Sequence, residues 1–472
     1  MKMLVAGRWV DRDEKIEVLN PYDGSLVDTV PVASEEDIEE AISKAVEGAK
    51  IMKRMPIWKR VEILEKTSEL LKERYKEIAV LLVKESGKTI REAEAEVLRT
   101  AELFRMSAEE AKRIHGETLP FDSLKGSERK RGYFVREPVG IVAAIVPFNV
   151  PLALCAHKVG PAIAAGNAVI IKPPTQDPLT NLVLGEILLE AGMPSEAVSI
   201  LTGPGSRVGT PIVRDERIRM VSFTGSVPVG KTIMKNVGLK KVSMELGSNS
   251  PLIVTETGNL EKAVKATVSG GFSLAGQVCI SVQRVYVHKK VFNDFVDLLI
   301  EEVKKIKVGD PMSRDTDMGP VIDEPNALRI ESWIKEAVDK GAKLAIGGER
   351  NYTLISPTVL LEVPKDTKIM TEELFGPAVA VNSFEVFEEA LEEANSTKYG
   401  LQVGVFTSKI DEAFEAIEKL EFGGVLINEG PRYRADFMPY GGYKESGIGR
   451  EGIKFAIEEM TEIKTVIFDL RE

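Results

Sequence analysis

The chain has 472 residues, 43% hydrophobic and 29% charged, with a formal net charge of -11, two cysteines and three histidines. Such a length can bury more than one core, whereas the acidic balance argues against a nucleic-acid footprint, since phosphate binding asks for a basic surface. So few cysteines and histidines exclude a disulfide framework and leave no dedicated metal site to be expected. No run of eighteen uncharged apolar residues occurs, and charged residues follow the N-terminal segment at once, so no membrane contact and a cytoplasmic location are expected. Abundant Lys and Glu beside few Gln, Cys and His fit a thermophile's surface.

Ser34 opens Ser-Glu-Glu-Asp, a capping-box pattern, and apolar positions Ile38, Ala41, Ile42, Ala45 and Ala49 then recur at helical spacing. The first hundred residues are expected to be mostly helical. Residues 118–137 mix Gly, Ser, Lys and Arg with aromatic and β-branched positions before the turn Glu137-Pro138-Val139-Gly140, and they look like an excursion from a domain. From Gly140 short apolar runs (141–146, 168–171, 198–201) alternate with helical stretches (151–165, 178–191), and further strands are expected at 220–223 and 242–246. Alternation of this kind implies βαβ units around a buried parallel sheet. A second α/β segment runs from Pro251 through a helix at 291–305 to a loop at 428–442.

Ligands of open parallel sheets sit beyond the carboxyl ends of the strands. There the chain places Val146-Pro147-Phe148-Asn149, Lys172-Pro173-Pro174-Thr175, a glycine stretch at 203–209 that includes Gly205 and Gly209, Thr224-Gly225-Ser226, and Gly247. A helix starting after Ser226 would aim free N–H groups at a pyrophosphate. The Gly-x-Gly-x-x-Gly fingerprint is absent, because Gly209 comes one position too late. Asn149 reads either as a satisfied loop amide or as a donor to a developing oxyanion. Lys172 reads either as a snorkelling side chain or as a ligand of a ribose or phosphate. Cys155, inside an apolar helical stretch, reads as a small buried hydrophobe. Cys279 ends the small-residue segment Leu274-Ala275-Gly276-Gln277-Val278, and Glu245 stands at a strand end before Leu246-Gly247. A thiol and a carboxylate are sufficient to make and hydrolyse a thioester if the fold joins them.

Together these segments resemble the NAD(P)-dependent, non-acylating aldehyde dehydrogenases. The likeness runs end to end, through Glu137-Pro138-Val139-Gly140, Pro147-Phe148-Asn149, Lys172-Pro173-Pro174, Phe223-Thr224-Gly225-Ser226 with Gly230, Glu245-Leu246-Gly247, Gly276-Gln277-Val278-Cys279, Glu372-Glu373-Leu374-Phe375-Gly376-Pro377 and Pro439-Tyr440-Gly441-Gly442. The resemblance implies an α/β aldehyde dehydrogenase-like fold with a Rossmann-type cofactor domain (1–117 and 138–247), an α/β catalytic domain (248–445) and a small β oligomerisation flap (118–137 and 446–472), assembled as a homotetramer (dimer of dimers) or a homodimer.

It also implies roles. Cys279 attacks the aldehyde, the Asn149 amide and the Cys279 N–H hold the alkoxide, and Glu245 activates the hydrolytic water. Lys172 and Glu373 meet the cofactor riboses, Phe375 packs near the nicotinamide, and Gly225 and Ser226 lie by the pyrophosphate. Val146, Pro147, Phe148, Thr175, Gly205, Gly209, Phe223, Thr224 and Leu246 complete the implied cofactor set. Three departures stand out. Thr175 replaces an acidic residue, which predicts use of NADP as well as NAD. Ser248 replaces a glycine beside the base. Val150 and His157 stand where relatives acting on bulky apolar aldehydes place aromatics, so a smaller or more polar pocket is expected. Arg432 and Arg434 are expected to clamp an anion, with Arg105 as a third cation, against the alternative of surface solvation. The loop and the cysteine context are closest to lactaldehyde and non-phosphorylating glyceraldehyde-3-phosphate dehydrogenase branches, so small hydroxylated or anionic aldehydes are the expected substrates. Transfer to coenzyme A, or a silent cofactor-binding homologue, are the rival readings.

Overall fold

The computed structural model describes residues 1–470, and the last two positions of the 446–472 segment lie outside it. The chain opens on short strands, Met3–Val5, Arg8–Val10, Lys15–Leu19 and Leu26–Pro31, and becomes helical only from Glu35, through Glu35–Arg54, Ile57–Glu73, Tyr75–Ser86 and Ile90–Ala111. The first hundred residues are mostly helical, as expected, but they start on strands that were not. The first strand is made by pairing through space, Leu4 against Ile200, which local periodicity does not report. The first helix begins where the capping box places it, with the Asp37 N–H donating to Ser34 Oγ at 3.2 Å and the Ser34 N–H donating back to the Asp37 carboxylate at 2.9 Å.

Eight strands form the first sheet, in the order Arg8–Val10, Met3–Val5, Val198–Ile200, Ala168–Lys172, Ile141–Ile145, Met220–Thr224, Lys241–Glu245 and Gly447–Ile448. Its five central strands run parallel; four are fully buried, and Lys241–Glu245 is buried over its last three residues, as a sheet covered by helices on both faces requires. Chain order reverses between Ile141–Ile145 and Met220–Thr224, which makes that edge the switch point where a crevice opens. Register puts the chemistry-bearing residues level there: Ile145 pairs Lys172, Phe223 pairs Ile145, and Thr224 pairs Glu245.

Ser250–Val254, Val282–His288 and five later strands build a second, seven-stranded sheet with its own apolar core, in which only the edge strand Lys343–Ile346 is antiparallel. A three-stranded antiparallel sheet, Glu117–Leu119, Lys130–Pro138 and Thr461–Asp469, stands apart from both. Within the 446–472 segment only Thr461–Asp469 joins this flap. Gly447–Ile448 extends the first sheet, and Ile453 and Ile457 of the helix Ile453–Glu459 belong to the first core. Among the described residues, no helix is long and apolar enough to cross a membrane.

Candidate active site

Cys279 lies between the helix Leu260–Phe272 and the strand Val282–His288, behind a left-handed turn in which Leu274 and Ala275 have φ of 52° and Gly276 has φ of 72°. Only glycine fits at 276, because a Cβ there would run into the Gly376 carbonyl. The turn is anchored from outside by Glu92, whose carboxylate accepts the Leu274 N–H at 2.9 Å. The thiol is half-buried and sits 3.0 Å from the Tyr440 hydroxyl. Burial pushes it up to about 11, opposed by the Tyr440 hydroxyl and the Arg434 charge. Cys155 is fully buried and pushed up to about 12 by desolvation, so it is inert.

Asn149 follows the strand Ile141–Ile145. Its Nδ2 donates to the Gln277 carbonyl at 2.9 Å, which fixes the amide against the cysteine loop, and its own carbonyl accepts from Lys88 Nζ at 2.9 Å. Lys88 is ion-paired to Glu96, with both side chains buried, and Glu96 also takes the N–H groups of Leu152 and Ala153 at the start of the next helix. The amide is thus hydrogen-bonded within the loop, and Asn149 also lines the cavity that Cys279 lines.

Glu245 ends its strand beneath Gly441, where a Cβ would stand 3.0 Å from Oε1. It is buried, and neither carboxylate oxygen has a hydrogen-bond partner among the described residues. Desolvation raises it well above the ordinary carboxylate value, and the neighbouring Glu451 charge adds to that. Its charge also pushes against the Cys279 thiolate. A buried, unpartnered acid beside a thiol is costly to maintain and is the pattern expected of a base kept free for water.

Behind this pair lies a charged network that the sequence did not flag. Lys158 Nζ donates to Glu451 at 2.9 Å and to Thr224 Oγ1 at 2.7 Å. Arg434 reaches Glu451 at 3.0 Å and lies over the Tyr440 ring, 3.7 Å from its centroid. Burial would raise Glu451, but the Lys158 and Arg434 charges hold it well below the carboxylate range. His157 is buried among Arg99, Arg434 and Asp436, and burial together with the Arg434 charge lowers it to about 4, so it is neutral. Lysine on an otherwise apolar helix was the one legible signal for Lys158; Glu451 carried none.

The expected arginines separate. Arg434 joins the cluster but is already neutralised by Glu451. Arg432 stands near Glu92 and Arg99, its Nε buried without a partner and its guanidinium in no ion pair among the described residues. Arg105 is not brought to the site, because Glu102 and Glu109 of its own helix hold its guanidinium at the surface. Arg99, one helical face away, is the residue that reaches in, paired to Asp436 at 2.5 Å.

A cavity of about 820 Å³ opens at the switch point and reaches Cys279 and Asn149 at its inner end. All the residues of the implied cofactor set line it, from Val146, Pro147 and Phe148 to Glu373 and Phe375. Lys172 Nζ donates to Thr175 Oγ1 at 3.1 Å, and burial lowers the ammonium to about 8, with Asp177 opposing. Gly205 and Gly209 face open space, so the helix after Pro204 leaves room for a ligand. Ser226 precedes the helix Val227–Met234. The Glu373 carboxylate accepts the Ser248 N–H at 2.9 Å and is raised to about 7 by burial. A Cβ at Gly247 would displace the Glu373 carboxylate from its place against the Ser248 N–H. The Ser248 hydroxyl turns to Ser250 Oγ at 3.1 Å, away from the base. Phe375, at φ 50°, meets Phe148 edge-on with ring centroids 5.7 Å apart. Arg329, stacked 5.0 Å from the Trp333 centroid, also lines the cavity, and a basic–aromatic pair four apart on one helix was its sole trace in the sequence. Among the described residues no group of His, Cys, Asp and Glu is arranged to hold a metal.

Comparison with known proteins agrees with this geometry. A family model described as "Aldehyde dehydrogenase family" matches residues 9–466. The chain is 44% identical over 468 residues to a 3-sulfolactaldehyde dehydrogenase of Priestia aryabhattai, covering 99% of this chain and 98% of the relative. Aldehyde dehydrogenase 21 from Physcomitrella patens, solved with the reaction product succinate, superposes with a TM-score of 0.96 at 42% identity, covering 99% of this chain and 98% of the other. A glyceraldehyde-3-phosphate dehydrogenase from Methanocaldococcus jannaschii, complexed with NADP, gives a TM-score of 0.94 at 40% identity over 98% of this chain and 100% of the other.

Proposed function

The chain belongs to the aldehyde dehydrogenase family, and from that premise we propose that it oxidises a small hydroxylated or anionic aldehyde to the carboxylic acid, with NADP or NAD and through a thioester on Cys279. The observation that carries hydrolysis, rather than transfer to coenzyme A, is Glu245: buried, unpartnered and beneath the loop that touches the nucleophile.

The residues of the crevice fit a dinucleotide. Lys172 and Glu373 stand ready for ribose hydroxyls, Gly205 and Gly209 leave the phosphates room, and Arg329 adds a cation. The Lys172 ammonium is met by a hydroxyl rather than a carboxylate, which suits a 2′-phosphate and supports NADP beside NAD. When bound, the nicotinamide accepts the hydride that the tetrahedral adduct gives up. Cys279 supplies the sulfur that makes that adduct. The Asn149 amide and the Cys279 N–H stabilise its oxygen as charge develops. Glu245 then takes a proton from the water that cleaves the thioester. Lys158 and Arg434 balance Glu451, so that the charges around Glu245 stay compensated while it gains and loses a proton.

Arg432 is the cation left for a substrate anion, since Arg434 and Arg99 already carry carboxylates. The matched relatives support this, being named for a sulfonated aldehyde, a phosphorylated aldehyde and a dicarboxylate product. The division into cofactor, catalytic and oligomerisation parts follows the three largest sheets, with the last role resting on the flap, whose strand Thr461–Asp469 exposes Ile463 and Ile467 on one face and Phe468 on the other for a homodimer or homotetramer. A reducing cytoplasm suits a free thiol nucleophile, and the many surface ion pairs suit a thermophile.

The test is Glu245→Gln with glyceraldehyde-3-phosphate and NADP. One equivalent of reduced cofactor should form in a burst, followed by turnover slowed at least 100-fold while acyl-enzyme accumulates on Cys279. Undiminished steady turnover, or a product that requires coenzyme A, would overturn the reading.

A further inference from the structure

The sulfur of Cys279 makes one side-chain hydrogen bond among the described residues, and its partner lies 161 positions further along the chain. Tyr440 Oη stands 3.0 Å from Sγ. The ring is buried with Ile280 and Leu401, and Val278 packs against the same group. Arg434 covers the ring, 3.7 Å from its centroid, and is itself held by Glu451 and His157. On the other side of the tyrosine, Gly441 is pressed against Glu245. Tyr440 is thus clamped between the charged network and the base, with its hydroxyl aimed at the nucleophile.

We propose that the Tyr440 hydroxyl is a catalytic hydrogen-bond donor to Cys279, stabilising the thiolate from which attack on the aldehyde begins. A thiolate has no hydrogen to give, so in that state the phenol must donate, and bonds to an ionised acceptor are stronger than neutral ones. Burial raises the phenol well above its ordinary value, so it keeps its proton while the thiol loses its own to solvent. The other charges that face the sulfur are Arg434, which favours the thiolate, and Glu373 and Glu245, which oppose it. When the sulfur lone pair passes to the aldehyde carbon, the negative charge moves to the oxygen held by Asn149, and the tyrosine loses its anionic partner. The hydroxyl therefore sets how much thiolate exists and also tempers its reactivity.

Both consequences can be read from the rate of Cys279 alkylation by iodoacetamide between pH 7 and 10, with the modified peptide identified by mass. Tyr440→Phe should raise the thiol by about one to two units, the worth of one hydrogen bond to a charged group, which across this window reads as a lower rate at every pH. At pH 8 the rate should fall only about 3- to 15-fold, because the less stabilised thiolate is the better nucleophile. Site-specific 3-fluorotyrosine at 440, a stronger donor of nearly the same shape, should move the profile the other way and does not depend on the phenylalanine variant folding. Superimposable profiles for all three proteins would overturn the proposal. It rests on Cys279 being the nucleophile, which the same samples test separately: activity that survives alkylation of Cys279 would overturn both readings, whereas lost activity with unchanged profiles would overturn the tyrosine alone.

Discussion

Replacing Lys88 by methionine should cripple an enzyme whose nucleophile and base it never touches. The ammonium and the Glu96 carboxylate are almost fully enclosed, with side-chain exposures of 2% and 4%, so the pair has no solvent to fall back on. Removing one member of such a pair costs about 3–5 kcal/mol, because the other charge stays buried without compensation. Glu96 keeps two backbone N–H donors, from Leu152 at 2.9 Å and Ala153 at 3.2 Å, which places Lys88→Met near the lower bound, about 3 kcal/mol. For a lobe of this size that corresponds to roughly 6–12 °C in Tm. Activity should suffer further, since the Asn149 carbonyl loses its donor, and displacement of the amide by about 1 Å is worth on the order of 100-fold in kcat. The double variant Lys88→Met/Glu96→Gln removes both charges and should return most of the stability, to within about 1 kcal/mol of the parent, but little of the kcat. Differential scanning fluorimetry and steady-state kinetics on the parent and the two variants decide it. A single variant with Tm within 2 °C of the parent and unchanged kcat, both figures on the order of assay scatter, would refute the reasoning.

Three further outcomes follow from the same geometry. His157 is lowered to about 4 in the folded chain against about 6.5 unfolded, so the unfolded state binds the extra proton between those values, and stability should fall as pH drops through that window; His157→Gln should flatten the difference, on the order of 3 kcal/mol, in denaturant titrations at pH 7 and pH 4. Glu373, raised to about 7 by burial, accepts hydrogen bonds from ribose hydroxyls more strongly when ionised, so cofactor affinity measured by fluorescence quenching should weaken several-fold as pH falls from 8 to 6, and Glu373→Gln should bind weakly at both. Thr175→Glu would give Lys172 a carboxylate partner and repel a 2′-phosphate; the ratio of kcat/KM for NADP over NAD should drop at least 10-fold, and an unchanged ratio would remove Thr175 from the account of cofactor choice.

Much of the site was legible because its carriers sit at positions where local pattern and function coincide. Lys172, Thr224 and Glu245 end apolar runs, and a parallel sheet brings such ends to one edge whatever else the chain does. Gly276 and Gly247 mark places where backbone or a carboxylate comes too close for a Cβ. The first two strands were missed because three-residue strands are created by their partners, as Leu4 is by Ile200. Arg105 was misplaced for a related reason: helical spacing gives the face a residue occupies, but Glu102 and Glu109 on the same helix were free to capture it.

The sequence by itself determined the α/β organisation and the strand ends that meet at one edge, because both depend on nearest neighbours and on where a strand stops, whereas the roles proposed for Cys279, Glu245 and Asn149 came from the resemblance of whole segments. Tertiary structure alone decided which charges are spent and which remain available. Glu451 meets Lys158 across 293 positions and Tyr440 meets Cys279 across 161, while Arg434 is neutralised and Arg432 is left unpaired. Charge compensation is settled through space in a low-dielectric interior, where a partner a few ångströms away outweighs any pattern along the chain.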